Sequence, residues 1–149
     1  MPLFGRRPKE PTFEPDPTIA AEASRVAGNF VRWAREHFAV DADYTDASID
    51  VVESIASKID EDIRLRRASP DPSFAEAMAP GFGFYIGETY LKNHGGSWGW
   101  SDVPDGIRTV AVQTPNGGLF WPALKSLKRL LREPGEDLRY YYTSVCLKV

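Results

Sequence analysis

The sequence predicts an α+β domain in which N-terminal helices and a glycine-rich helix pack on a small antiparallel β-meander, closed by C-terminal helical elements. Three observations carry that expectation. Apolar residues recur at three- and four-residue steps through the first half of the chain, the period of a helix with one buried face. The segment Gly81 to Trp100 (GFGFYIGETYLKNHGGSWGW) then runs glycine-spaced aromatics into a helical stretch that stops at Gly95-Gly96. Glycines inside a helical pattern cost about 1 kcal/mol each relative to alanine, so several together mark close backbone packing, a kink or a ligand-lined surface. Beyond Gly96 the period changes to two, with Trp98 and Trp100 alternating with small residues, as in a strand.

Prolines at positions 2, 8, 11, 15 and 17 argue against regular structure at the start. Residues 1–16 are therefore expected to be a disordered tail, and residues 17–149 a single α+β domain. Pro17 suits the first turn of a helix. From Thr18 to Phe38 the stripe Ile19, Ala23, Val26, Ala27, Phe30, Ala34 and Phe38 describes an amphipathic helix with Arg25, Arg32, Arg35 and Glu36 on its wet side. After a connector, Thr45 or Asp46 can cap a second helix with the stripe Ile49, Val52, Ile55, Ile59 and Ile63. Ala68 to Pro72 is a breaker, and Ser73 can cap a third helix starting near Phe74, which Pro80-Gly81 either kinks or restarts. Its aromatic face ends near Asn93, and Gly95 suits a left-handed C-terminal cap.

The β-branched run Ile107 to Thr114 makes the best strand, between a Pro104-Asp105-Gly106 turn and a Pro115 to Gly118 turn. Leu119-Phe120-Trp121 reads as a short further strand. Pro122 opens a helix with Leu124, Leu127 and Leu131 on one face, ended by Pro134-Gly135. Leu138, Tyr141, Tyr142, Val145 and Cys146 fit helical spacing, although the three consecutive tyrosines also suit a strand; helix is the favoured reading.

Composition removes several function classes. A length of 149 residues fits one domain. The net charge of −3, with both signs interspersed, offers no broad cationic face, so no nucleic-acid partner is expected. The single cysteine, Cys146, cannot form an intramolecular disulfide and reads as a packed thiol. No apolar run approaches the roughly 20 residues of a membrane span, and no secretory h-region is visible. The expectation is a cytoplasmic protein without stable membrane association. Leu3 and Phe4 beside Arg6, Arg7 and Lys9 read as part of a solvated tail, against the alternative of a segment grazing an anionic membrane.

The stretch Gly83 to Trp100 resembles a segment recurring in a family of small bacterial domains: an aromatic, Gly-Glu, then Asn and Gly-Gly before Trp. Gly87, Glu88, Gly95, Gly96 and Trp98 carry the resemblance, which extends more loosely over residues 20–145 through Tyr44 to Ile59 and Asn116 to Tyr142. It implies an α+β fold and an immunity-type or accessory role, and attaches no reaction to the chain.

Glu88, after Gly87 in an otherwise apolar helix, is the carboxylate most open to a chemical role, since burial would raise its pKa. The structural alternative is a hydrogen bond or ion pair to a neighbouring element. Glu53 or His94 could join it as acid/base partner, yet His94 and His37 both occupy last helical turns, where an imidazolium favours the macrodipole. No closely spaced His/Cys set suggests a metal site, and no dinucleotide fingerprint, P-loop or nucleophile elbow is present; neither metal nor cofactor is expected. Tyr85, Glu88, Trp98, Trp100 and Trp121 are the candidate binding residues. Their aromatics either form the core or present a platform to a partner protein, where Trp and Tyr are enriched. The preferred reading is a non-enzymatic binding or accessory module. The alternatives are a small enzyme built on Glu88, or a small-molecule sensor with its pocket between the glycine-rich helix and the sheet.

Overall fold

The computed structural model describes residues 11–103 and 106–149. Among them the chain forms an α+β fold of five helices and a four-stranded antiparallel sheet. Helix α1 (Thr18–Phe38) ends on Ala39, whose φ of 55° and N–H bond to the Arg35 carbonyl close its last turn. A 3-10 turn, Asp46–Ser48, follows, with the Thr45 hydroxyl accepting from the Ser48 N–H, and leads directly into α2 (Ile49–Leu65).

Helix α3 (Pro72–His94) begins two residues before its expected start. Its cap is Asp71, which accepts from the Ser73 N–H, and not Ser73 itself; Pro72 takes the first helical position, where its missing N–H costs nothing. The helix continues through Pro80 without a restart. Gly95 has positive φ, as expected, but its ψ of −169° is extended rather than left-handed helical, and its N–H bonds the Leu91 carbonyl. Gly96 lies so close to the Gln113 carbonyl that a side chain there would collide with it.

Strands β2 (Ser97–Asp102), β3 (Arg108–Gln113) and β4 (Leu119–Phe120) form the expected meander. A fourth strand, β1 (Phe13–Pro15), pairs antiparallel with β2 to give the order β1-β2-β3-β4. This corrects the expected tail for residues 13–16: an edge strand tolerates proline because its outward amide has no partner to lose. Asp16 continues the attachment, its N–H bonding the Trp98 carbonyl at 3.2 Å. Residues 1–10 of the expected tail, Leu3 and Phe4 included, lie outside the described residues, as do Pro104 and Asp105 of the first expected turn.

The third strand of the meander stops at Phe120, and Trp121 instead precedes α4 (Pro122–Leu130). The tyrosine-rich end is helical, α5 (Leu138–Ser144), capped by Asp137, followed by a 3-10 turn at Cys146–Lys148.

Helix α3 is the centre of the core. Residues Phe82 to Tyr90 are buried without interruption, the mark of a helix covered all round. Phe30 of α1 packs on Phe82 and Tyr85, with ring centroids 4.9 and 5.2 Å away. The missing side chain of Gly83 makes room for the Ala123 backbone of α4, and that of Gly87 for the Trp98 indole of β2. Register places Trp98, Val112 and Phe120 in one row across three strands, all buried against α3.

Candidate functional site

The side chains singled out in the sequence are distributed among separate structural bonds. Glu88 is buried, and its Oε1 accepts from the Trp98 indole Nε1 at 3.0 Å. Glu53 is also buried, on α2. It accepts from Arg129 Nε and Nη2 at 2.9 and 2.7 Å and from the Leu138 N–H at 2.8 Å, with the Ser57 hydroxyl at 3.1 Å. Arg129 Nη1 reaches Asp60 at 2.6 Å. Burial works to lower the Arg129 pKa, but the bonds and charges of Glu53 and Asp60 outweigh it and hold the guanidinium above its ordinary value.

His94 lies at the end of α3, as expected, and its Nε2 approaches the two carboxylate oxygens of Asp46 at 3.1 and 2.9 Å. Tyr142 donates to the same carboxylate, and burial with that bond pushes its phenol up, so it remains a donor. Four carboxylates and one imidazole are thus committed to three different contacts. Glu88 meets neither His94 nor Glu53 through any hydrogen bond, so the expected acid/base pairs are not assembled.

The candidate binding aromatics are likewise interior or half-buried. Tyr85 is fully buried, its hydroxyl accepting from the Tyr44 N–H at 3.0 Å and bonding Ser48 Oγ at 2.5 Å. Trp98 is covered by α3, and Trp100 is half-buried with its Nε1 donating to Asp16 at 2.9 Å. Trp121 is half-buried before α4, where its N–H donates to the Tyr141 hydroxyl at 3.0 Å. These residues form no exposed platform. Their alternative, the core, is what the structure shows, with Trp100 and Trp121 at its margin. Cys146 is buried among Tyr141 and its neighbours, and burial pushes its thiol up, away from the reactive thiolate.

An open site exists elsewhere. Where α1 ends, α2 runs out and α3 begins, Phe38, Ile59, Ile63 and Phe74 line a groove of about 590 Å³, within the range of ligand-holding clefts. Phe74 is 42% exposed. The charged walls are engaged: Asp62 pairs with Arg66 at 3.0 Å, and Asp71 accepts the Ser73 amide that caps α3. Lys58 Nζ stands 5.9 Å from the Phe38 ring centroid, a cation–π arrangement. The groove offers an apolar floor with a charged rim, suited to holding a side chain and not to moving a proton.

Sequence reasoning assigned Phe38, Ile59 and Ile63 to buried stripes, and took Phe74 only as the start of a helix, and so missed the groove. The available signal was the α2 stripe itself, which carries Ile59 and Ile63 toward the Ala68 to Pro72 breaker while the facing α1 stripe has already ended at Phe38.

Fold and site together define a small α+β domain with an apolar groove at one corner. Compared with known proteins, the chain matches no family model, no curated protein and no solved structure. Among the described residues, no helix is long and apolar enough to cross a membrane.

Proposed function

We propose that the chain is a non-enzymatic binding module that receives an apolar side chain of a partner protein in the groove between α1, α2 and α3. One contrast carries the reading: the groove lined by Phe38, Ile59, Ile63 and Phe74 is apolar and accessible, whereas Glu88, Glu53 and His94 are each bonded in a different place. The enzyme alternative requires Glu88 to converge with one of the other two. The sensor alternative requires space between α3 and the sheet, and at Gly87 the Trp98 indole fills it. The resemblance of the Gly87-Glu88 and Gly95-Gly96-Ser97-Trp98 segment to small bacterial domains supports a bacterial accessory role of the immunity type.

The test is a titration of isotope-labelled protein with short peptides bearing Phe, Leu or polar anchors, read by amide resonances. Perturbations clustering at Phe38, Ile59 and Phe74, and lost in Phe74→Asp, are the expected outcome. Perturbations centred on Glu88, Trp98 or His94 would overturn the reading in favour of an enzyme or sensor.

A further inference from the structure

We infer that a second, smaller pocket, between α4, α5 and the end of β2, binds a small amphipathic monocarboxylate, an aromatic or branched aliphatic body bearing one acid group. Trp121, Lys125 and Lys128 stand at i, i+4 and i+7 along α4 from its capping residue, with Leu124 one turn before Lys128, so they share one side of the helix. Tyr141 and Val145 are likewise four positions apart on α5 and its cap, and Val103 directly follows β2. These seven residues line a cavity of about 320 Å³, at the lower end of the range that holds small molecules. None of them belongs to the groove between α1, α2 and α3, so the inference stands or falls independently of that reading.

The lining sets the occupant. Val103, Leu124 and Val145, with the rings of Trp121 and Tyr141, supply apolar contact, and the charged residues among the seven are two lysines with no carboxylate. Lys125 is engaged: its Nζ pairs with Glu136 at 3.1 Å and stands 5.3 Å from the Tyr141 ring centroid. Lys128 is partly exposed and makes no ion pair among the described residues. Trp121 adds an indole N–H that is buried without a hydrogen-bond partner. The Tyr141 hydroxyl already accepts the Trp121 amide, so the side-chain polar groups left unsatisfied in the lining are donors. One free cation beside an apolar cleft selects a single negative charge: a neutral ligand leaves it unpaired, and a dianion brings a second charge with no partner. A cavity of this size takes one ring and a short acid-bearing arm, whereas a partner helix, about 10 Å across, does not enter it.

The experiment titrates the isotope-labelled full chain with 3-phenylpropanoate, 3-phenylpropanamide and 3-phenylpropylamine, which share one body and carry a negative, neutral or positive head. The acid is expected to move the Trp121 indole resonance and the Leu124 and Lys128 amides in a saturable way, leaving the Trp33 and Trp98 indoles in place. It should bind about two- to fivefold more tightly than the amide, as one partly exposed charge pair gives, and the amine should bind worst. Lys128→Met keeps the aliphatic stem and removes the charge, so it should bring the acid down to the amide while leaving the amide's own affinity unchanged. Because Lys128 is partly exposed and unpaired, an unchanged thermal melt should accompany that variant and exclude unfolding as the cause. Equal affinities of acid and amide for the wild-type chain, or an acid preference that survives Lys128→Met, would overturn the inference. So would perturbations centred on Phe38, Ile59 and Phe74, or the absence of binding by all three compounds. A short peptide ending in Phe separates the two sources of such a carboxylate and is expected to bind more weakly than the free acid. If it binds more tightly, and loses that advantage on C-terminal amidation, the pocket takes a protein terminus and the small-molecule assignment falls.

Discussion

At residue scale, much of the chain's chemistry is the satisfaction of buried donors. The Trp98 indole fills the space left by Gly87, and this brings its N–H to Glu88 on the next residue of the same helix. A buried indole N–H left without an acceptor costs roughly 1–3 kcal/mol, so the Gly-Glu pair serves one tryptophan twice, once by shape and once by a hydrogen bond. The sequence marked Gly87 as a close-packing position and Glu88 as a buried carboxylate, and both readings hold. Their common partner was not legible, because alternation along a strand does not say which helix residue each side chain meets. Asp16 shows the same logic nearer the surface. Bonds from the Thr18 hydroxyl, then the Trp100 indole and the Thr18 amide, hold its carboxyl below the ordinary value. A depressed folded-state pKa means that the ionised form stabilises the fold above the unfolded-state value, and that this contribution is lost as pH falls through the folded-state value. Asp16→Asn is therefore expected to lower the melting temperature at neutral pH, with the difference from wild type closing under acid. Melts across that range check it, and a difference that grows on acidification would contradict the assignment.

At the scale of elements, the helices were legible because each is long enough to repeat its stripe several times, as Ile49, Val52, Ile55 and Ile59 do on α2. Strand β1 was not, since three residues flanked by prolines carry no period and acquire their conformation only from pairing with β2. The junction of α2, α4 and α5 was illegible for a different reason. Glu53 and Arg129 are 76 residues apart in sequence, and nothing local announces that either charge is buried. Their side chains are 7% and 8% exposed, and Glu53 also accepts the Leu138 amide at the start of α5. Removing the cation strands a buried carboxylate, which costs about 3–5 kcal/mol. Because the Leu138 amide and Ser57 still serve Glu53, Arg129→Met should fall near the lower end, about 3 kcal/mol. Adding Glu53→Gln neutralises the stranded charge while keeping an acceptor for Leu138, so the double variant should recover part of that loss. Denaturant midpoints at constant slope measure both. A double variant no more stable than Arg129→Met would show that the junction depends on shape and not on charge.

At the scale of the whole molecule, the five helices and the sheet share one core. A single buried cluster includes Phe30 of α1, Ile55 of α2, Tyr85 of α3, Val112 of β3, Leu130 of α4 and Tyr142 of α5. Such continuity predicts one cooperative transition, and the four tryptophans are placed to report it: Trp33 on α1, Trp98 and Trp100 on β2, Trp121 before α4. The groove was hidden from sequence at this same scale, since it forms only where the ends of α1 and α2 and the start of α3 meet. That origin couples binding to global stability. A ligand held by residues from three elements recognises only the folded chain, so at a hundredfold excess over its Kd it should stabilise the protein by about 2.7 kcal/mol. The whole transition should move to higher denaturant, with tryptophan fluorescence and far-ultraviolet circular dichroism remaining superimposed with and without a peptide held in the groove. Phe74→Asp should abolish the shift while leaving the unliganded midpoint nearly unchanged, because that ring is already part-exposed. If the peptide moved the helical signal but not the fluorescence, the α1–α2 corner would be a separately folding unit, and the single-core account of this chain would fail.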